Sequence, residues 1–531
     1  MNNKIYLIIA ISCHTTSYAG SIGHTPLCNQ SENVNFIISD IFDLDDPDTA
    51  LIHRWANFFH IKTHEYTIIN ESAFFLKKCQ IEKEDVDELE RYLRQRKYIR
   101  EAKVTLENSG KFLVETWDNW SLMPTIDFGR KGGVNKYSIG VKDRNLLGLG
   151  IDSEIEYFSN NQRSGYKFDA SFPLYLNKNM TASVRLTSSD DGDSSAFYLD
   201  KKFVSFDTKN AYKIGIDEYK QIDTQFQNGI TSAEYNHEKS LKTIQWKWLL
   251  SDTNDAVIRY GLGYNSEKHI FTEITENSLI HSNFIPENRH FNFPFLTFEY
   301  LQKDYQKLTN LNLINQIEDF NLGWHISTMV GSDFSSSLAS PDVIFSVSST
   351  TGFKISSNSY LFFDTKYEGE NYSNSRVKDR YLLSFITEYF HKINSSWGAY
   401  LKNTNVLSRN QFLDRPVELG DDSGVRGYPL QYQHGERTTQ LTAELRYYPH
   451  INIYKLFELG GAAFFDAGKA FGESPVINVN NSFITSIGVG ARFYSPHSSE
   501  AQVIHVDLVK PLSPSDVINS VEIRISTKHS F

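Results

Sequence analysis

The chain has 531 residues, which is too long for one ordinary globular core and predicts either several domains or one large closed sheet. Aromatic residues make up 14% of it although the mean hydropathy of -0.41 is polar. That combination is typical of outer-membrane barrels, in which aromatic girdles surround a wet lumen. The net charge of -11 excludes a nucleic-acid partner, since phosphate binding needs a basic face.

The first residues predict an export signal. A weakly positive start is followed by an apolar run over 5–13 and by a small-x-small cleavage site that ends at Ala19. We therefore expect a signal peptide over 1–19 and, because the next residues are polar and aperiodic, a flexible leader over 20–33. A lipoprotein signal that uses Cys13 is the alternative, which the short apolar run disfavours.

The cysteines and the hydropathy limit the classes of site and membrane anchor. Three cysteines without a CxxC spacing provide neither a disulfide framework nor a zinc site, and no metal or cofactor is expected. Cys28 and Cys79 would remain after cleavage, and in an oxidising periplasm they either pair or stay as two separate thiols. No later stretch reaches the roughly 18 apolar residues that a spanning helix requires, so membrane residence must come from strands.

A compact α+β unit is predicted over 34–118. Its first helix carries an apolar face of Leu51, Trp55, Phe58 and Phe59, and its last helix has acidic residues early and basic residues late, as the macrodipole favours. The elements are a strand over 34–43, a helix over 50–59, an apolar segment over 65–78, a helix over 84–96 and a hairpin over 102–107 and 111–117. An edge strand of such a small sheet can accept an extended client by β-augmentation.

From 121 to 531 the pattern changes to period two, in segments separated by Asn, Asp, Gly and Ser clusters. Leu445 and Tyr447 face one way, for example, while Glu444 and Arg446 face the other. One side suits lipid and the other a wet lumen, which predicts a transmembrane antiparallel β-barrel.

A water-soluble β-sandwich is the alternative, because it shows similar alternation. The export signal and the persistence of the pattern to the end of the chain favour the barrel. The chain also ends in an aromatic residue, Phe531, whose phase with Ile523 and Ile525 predicts a terminal ring on the lipid side of the last strand.

A long loop over 406–436 contains the candidate functional residues. Arg426 stands beside two glycines and ahead of a proline, in a turn that can hold a guanidinium rigidly. Asp466 lies downstream on a strand, with the parity of a lumen-facing residue. If the loop folds inward, the two side chains would form a charge-assisted pair. The alternative is an outer loop with Arg426 in solvent.

Several motifs together resemble the BamA/TamA superfamily of outer-membrane barrels with POTRA domains, also called the bacterial surface antigen family. The resemblance is carried by Val425-Arg426-Gly427-Tyr428, by the Phe-x-Asp-x-Gly of Phe464, Asp466 and Gly468, and by the segments 143–150, 488–492 and 506–511. It implies a barrel of about sixteen strands, one POTRA unit over 34–118 in the periplasm, and an inward-folded loop that the Arg426–Asp466 pair holds in place. The family's assembly factor and secretion transporters carry more POTRA units, so the subfamily stays open.

The resemblance implies that the protein assists insertion, assembly or translocation of unfolded client polypeptides at the outer membrane. Its expected partners are outer-membrane or secreted clients and outer-membrane lipid, with accessory subunits undetermined. A two-partner secretion transporter for one dedicated exoprotein and a passive porin-like barrel are the alternatives. An enzyme is not expected, since no HExxH, GxSxG or P-loop is present.

Overall fold

The computed structural model describes residues 34–47, 49–75, 83–106, 112–174, 179–274, 285–335, 340–374, 376–473, 478–500, 502–513 and 518–529. The expected signal peptide over 1–19, the leader over 20–33, the choice between paired and separate Cys28 and Cys79, and the terminal Phe531 lie outside these residues.

The N-terminal unit consists of a small sheet, two helices that pack against it and a further helix, the first in the chain, beside them. Its elements are β1 Val34–Ser39, α1 Leu51–Phe59, α2 Glu65–Ser72, α3 Lys83–Arg94, β2 Ile99–Leu106 and β3 Phe112–Asp118. The sheet order is β1-β3-β2, with β1 parallel and β2 antiparallel to β3. Ile68, Leu89, Leu93 and Val114 are fully buried in its core. Because α3 places Leu89 and Leu93 four residues apart, both reach the sheet from one helix face.

A closed barrel of twenty strands follows the N-terminal unit. All strands of this region, in chain order, are β4 Leu122–Lys131, β5 Val134–Leu146, β6 Ile151–Ser159, β7 Ser164–Leu174, β8 Met180–Ser189, β9 Gly192–Lys201, β10 Asn210–Gln227, β11 Ile230–Asp252, β12 Ala256–Glu273, β13 Arg289–Gln302, β14 Tyr305–Thr309, β15 Ile317–Asn321, β16 His325–Gly331, β17 Val343–Ser356, β18 Ser359–Asn371, β19 Arg380–Lys392, β20 Trp397–Arg409, β21 Glu418–Leu419, β22 Gln433–His434, β23 Arg437–Ile453, β24 Phe457–Phe471, β25 Ile484–Tyr494, β26 Gln502–Pro511 and β27 Glu522–His529. The hairpins β14–β15 and β21–β22 stand outside the ring.

The predicted barrel is confirmed, but the expected sixteen strands are wrong. Alternation identifies a strand without saying which neighbour it pairs with. In the structure twenty strands pair into the ring, and long strands such as β11, which spans 23 residues, are continuous. Ring size is therefore decided by long-range pairing, since every strand of any barrel shows the same period.

The wall has an apolar outside and a polar inside. On β23, Leu445 and Tyr447 are exposed, whereas Glu444 and Arg446 are buried toward the interior. This is the arrangement of a barrel whose outer face meets hydrocarbon, and it is the architecture of outer-membrane proteins. Among the described residues, no helix has both the length and the apolarity to cross a membrane.

The N-terminal unit covers one mouth of the barrel, which we call the proximal end. The backbone N–H of His64 donates to Gly148 O in the β5–β6 turn at 3.0 Å. Nε2 of His53 lies 2.6 Å from Tyr454 O in the β23–β24 turn. The opposite mouth is the distal end, where the β20–β23 connection lies.

The ring closes between its first and last strands with little pairing. Among the described residues, Ile525 of β27 and Arg130 of β4 are the one pair in register across this junction. By contrast, β4 pairs with β5 along its whole length. We call the β27–β4 junction the seam, and its backbone groups are the least paired of the ring.

Candidate functional site

The β20–β23 connection enters the lumen from the distal end. We call residues 410–436 the inner loop; it begins four residues later than expected, because β20 continues to Arg409. Within it, β21 and β22 form a two-stranded sheet, in which Glu418 pairs with His434 and Leu419 with Gln433. This short ladder makes the loop a structured insert.

Arg426 and Asp466 are brought together inside the barrel. Arg426 Nε donates to Asp466 Oδ2 at 2.6 Å, and its Nη2 donates to Oδ1 at 2.9 Å. Its Nη1 donates to Glu444 Oε1 at 3.0 Å, and its guanidinium stacks 3.4 Å from the centre of the Phe464 ring. Arg426 is 5% exposed and Asp466 is 0% exposed. The alternative of a solvent-exposed Arg426 therefore does not describe this structure.

Further charges surround the pair. Thr442 Oγ1 donates to Asp466 Oδ1 at 2.8 Å, and Arg492 Nη1 donates to Asp507 Oδ1 at 2.5 Å. Asp507 Oδ2 also lies 3.6 Å from Arg426 Nη1. Such a buried network is weak evidence for net stability, because desolvation offsets the attraction, but it specifies one position for the loop. The geometry therefore suits positioning of the loop.

Apolar side chains pack the inner loop against the barrel wall, beside this network. Val425 and Tyr428 are fully buried against Leu419, Tyr432 and Ile484. The Tyr428 hydroxyl donates to Thr485 O at 2.8 Å and accepts from the Thr485 N–H at 3.1 Å. The hydroxyl thus has partners on the wall, so the ring can be buried without an unsatisfied polar atom.

Two motif glycines allow the close approach of loop and wall. A Cβ at Gly468 would stand 2.8 Å from Val425 Cγ2 and 3.0 Å from Leu419 Cδ2, so the wall strand must lack a side chain there. Gly427 has a φ of +84°, and a Cβ would lie 2.9 Å from Val509 Cγ1. The six predicted motif residues, Val425, Arg426, Gly427, Tyr428, Asp466 and Gly468, therefore meet at one place.

The inner loop also reaches both sides of the seam. Arg524 of β27 donates from Nε to Asp421 Oδ1 at 2.6 Å, and the other oxygen of Asp421 accepts from the Gly427 N–H at 2.8 Å. On the first hairpin of the ring, Lys131 Nζ lies 3.1 Å from Asp422 Oδ1. One segment of the loop therefore contacts the last strand and the first hairpin.

The same loop crosses the distal mouth to the opposite wall. Asp414 accepts from Arg289 of β13 at 2.9 and 2.8 Å, and Arg415 donates to Glu267 of β12 at 3.1 Å. These strands lie far around the ring from β24, which carries Asp466. The loop therefore spans the distal opening from wall to wall.

A second insert, which the sequence analysis missed, occupies the proximal mouth. We call residues 303–324, with β14 and β15, the inner hairpin. Its tip residues Leu313 and Ile314 pack against Tyr448 and Tyr494 of the inner wall. An apolar Leu-x-Leu-Ile run at the centre of a polar connection between two strands is the signal that could have identified it, because solvated turns rarely carry such a run.

The inner hairpin joins the N-terminal unit to the inner loop. Arg94 of α3 donates to both oxygens of Asp319, from Nε at 3.0 Å and from Nη2 at 3.1 Å. At the other end, Arg446 donates to Leu311 O at 2.7 Å and to Glu444 Oε2 at 2.9 Å. Glu444 is also the carboxylate that Arg426 contacts. The inner hairpin thus contacts α3 at one end and, at the other end, an arginine that shares Glu444 with Arg426.

Comparison with known proteins places the chain among distant barrels. No protein-family model matches it, and no curated protein sequence does. A solved structure of BamA from Haemophilus ducreyi lacking POTRA domains 1-3 is similar with a TM-score of 0.39 and 12% identity, over 94% of this chain and 84% of that chain. CdiB from Escherichia coli is similar with a TM-score of 0.45 and 10% identity, over 93% and 76%.

The FrpB iron transporter from Neisseria meningitidis is also similar, with a TM-score of 0.43 and 8% identity, over 81% of this chain and 88% of that chain. Barrels with different named roles are thus about equally similar in fold.

Proposed function

We propose that this chain is an outer-membrane member of the BamA/TamA superfamily that assists insertion or translocation of client polypeptides. The observation that carries the proposal is the bidentate pair between Arg426 of the inner loop and Asp466 of the inner wall. It is the contact that the resemblance implies for the Val-Arg-Gly-Tyr loop and the Phe-x-Asp-x-Gly strand. The mechanism needs no covalent chemistry, and client folding would supply its free energy.

In this proposal the N-terminal unit is a single POTRA unit that faces the periplasm. Its sheet order β1-β3-β2 leaves β1 and β2 at the edges, and within the described residues each pairs with β3 alone. An edge strand with unpaired N–H and C=O groups can accept an extended client by β-augmentation. The unit lies at the proximal mouth, so a client bound there would be held next to the barrel.

The seam supports the next step. A client strand can pair with β4 or β27 where these two strands share one pair in register. The lumen is a less direct route, because the inner loop spans its distal mouth and the inner hairpin enters its proximal mouth. The same two inserts disfavour a passive porin, whose conduction requires a water-filled channel. Insertion at the seam is therefore the form of client handling that the geometry favours.

The test is a replacement of the chromosomal gene by one encoding Arg426→Ala, followed by quantitative mass spectrometry of the outer-membrane and secreted proteins. Arg376→Ala is the matched control, because Arg376 is an exposed arginine of another distal loop. We expect the Arg426 variant to deplete client proteins and the control to leave them unchanged. Heat-modifiable migration of the variant on gels verifies that its barrel has folded.

The pattern of depletion separates the alternatives. Loss of several barrel proteins indicates an assembly factor, whereas loss of one large exoprotein with unchanged barrels indicates a dedicated transporter. Wild-type levels of every protein in the Arg426 variant, together with a large steady conductance in planar bilayers, would contradict the proposal and favour a porin.

A further inference from the structure

Helix α1 has its apolar side chains on the outside. Leu51 is 66% exposed, Trp55 is 60% exposed and Phe58 is 80% exposed, whereas His53 and Ala56 are each 1% exposed. The sequence predicts one apolar face for this helix, and a helix of a water-soluble domain buries that face against its own core. Here the small and polar face is buried instead.

Specific contacts hold α1 in this orientation. Nδ1 of His53 accepts from the Ala50 N–H at 3.0 Å, and its Nε2 meets Tyr454 O of the barrel. Asn57 accepts from the Phe42 N–H at 3.1 Å and donates to Phe42 O at 2.7 Å. These hydrogen bonds would break if the helix rolled to bury Trp55 and its neighbours. The fold therefore holds the apolar face of α1 in an exposed position.

The exposed face continues the lipid-facing surface of the barrel. At the proximal end of the β23–β24 hairpin, Ile453, Tyr454 and Phe457 are exposed beside the site where His53 is bound. Aromatic residues at this level of a barrel form the girdle at the membrane interface. Among the nine residues of α1, Arg54 is the one charged side chain outside, a cation that suits lipid phosphates.

The seam lies between the attachment points of α1 and α2 on the barrel. The α1 contact is with the β23–β24 turn, and the start of α2 is bound to the β5–β6 turn through the His64 N–H and Gly148 O. In the ring, β24, β25, β26, β27, β4 and β5 lie in sequence between these turns, so the seam falls between the two attachment points.

We propose that α1 is an interfacial membrane helix, which inserts Leu51, Trp55 and Phe58 into a phospholipid leaflet at the proximal rim, next to the seam. The identity of that leaflet, the periplasmic one, rests on the proposed orientation of the barrel, whereas insertion itself follows from the exposed face. Bulky side chains in one leaflet at this point would disturb lipid packing where a client strand leaves the barrel for the membrane.

Spin-label depth measurements on the full chain in nanodiscs of phosphatidylethanolamine and phosphatidylglycerol test the proposal. The label is placed at Phe58→Cys in a chain that carries Cys28→Ser and Cys79→Ser, and the matched control is Lys103→Cys on an exposed position of β2. We expect oxygen, which concentrates among acyl chains, to relax the label at 58 more strongly than a water-soluble nickel chelate does. The label at 103 should show the reverse.

Two results would overturn the proposal. Equal nickel accessibility of the labels at 58 and 103 would mean that the face is in water. Shielding of the label at 58 from both reagents, in nanodiscs and in lipid-free amphipol alike, would mean that another part of the protein, such as residues 20–33, covers it. A label at 58 that moves into water when Trp55→Glu is added supports insertion by this face. Because no client is present, these outcomes are independent of the client-delivery test.

Discussion

Replacement of Asp466 by asparagine should release the inner loop without unfolding the barrel. Asp466 accepts four hydrogen bonds, from Nε and Nη2 of Arg426, from Thr442 Oγ1 and from Ser486 Oγ. Asp466→Asn removes the charge that balances a guanidinium that is 5% exposed. Breaking one partner of a buried pair costs about 3–5 kcal/mol.

The cost of Asp466→Asn should fall near the lower limit of this range, because other carboxylates remain beside the Arg426 guanidinium. Glu444 still accepts from Arg426 Nη1 at 3.0 Å, and Asp507 Oδ2 lies 3.6 Å away. A cost of about 3 kcal/mol raises the unseated fraction of the loop about a hundredfold. The apolar contacts of Tyr428 are unchanged, so the loop should open transiently rather than stay outside.

Hydrogen–deuterium exchange over residues 418–430 measures this opening. We expect faster exchange in Asp466→Asn and unchanged exchange in a distant part of the ring, such as β7. Arg426→Ala alone should have a similar effect, and the double variant should add little, since both changes remove one interaction. Exchange in Asp466→Asn equal to that of the wild type would refute the view that this pair holds the loop.

Other contacts lead to three further predictions. Gly468→Ala should displace the loop by crowding Val425, at a cost of about 1–3 kcal/mol, and should also accelerate exchange over 418–430; normal exchange would show that the wall can yield. Asp319→Asn should loosen the inner hairpin by about 1 kcal/mol, because the partly exposed pair with Arg94 loses its charge; exchange over 308–322 measures it, and no change would mean that the apolar tip alone holds the hairpin. Burial raises the pKa of Glu418 from 4.5 to about 7, and a neighbouring aspartate adds a smaller effect. Glu418 therefore stabilises the seated loop most below pH 4.5, and this stabilisation is lost as the pH rises through 7. Protease cleavage of the loop should therefore be slower at pH 5 than at pH 8, and Glu418→Gln should abolish the difference; an unchanged pH dependence in this variant would assign it to another group.

The sequence by itself was sufficient for the class of fold and for the residues of the loop site. Alternation that persists over the C-terminal region, together with the expected export signal, predicts a barrel, because each strand meets lipid on one side and polar groups on the other. The same parity places Asp466 toward the lumen. Local period and motif spacing are enough for these inferences, since they depend on which way each side chain points.

Tertiary structure alone decided the number of strands, the inner hairpin and the direction of the α1 face. All strands of a barrel share one period, so the twenty-membered ring depends on pairings between distant segments. The run around Leu313 shows that something is buried, but only the fold places it against Tyr448 inside the lumen. An amphipathic pattern likewise indicates that α1 has an apolar face, whereas contacts such as that of His53 with the barrel decide that this face points away from the protein, because the hydrophobic effect is non-directional.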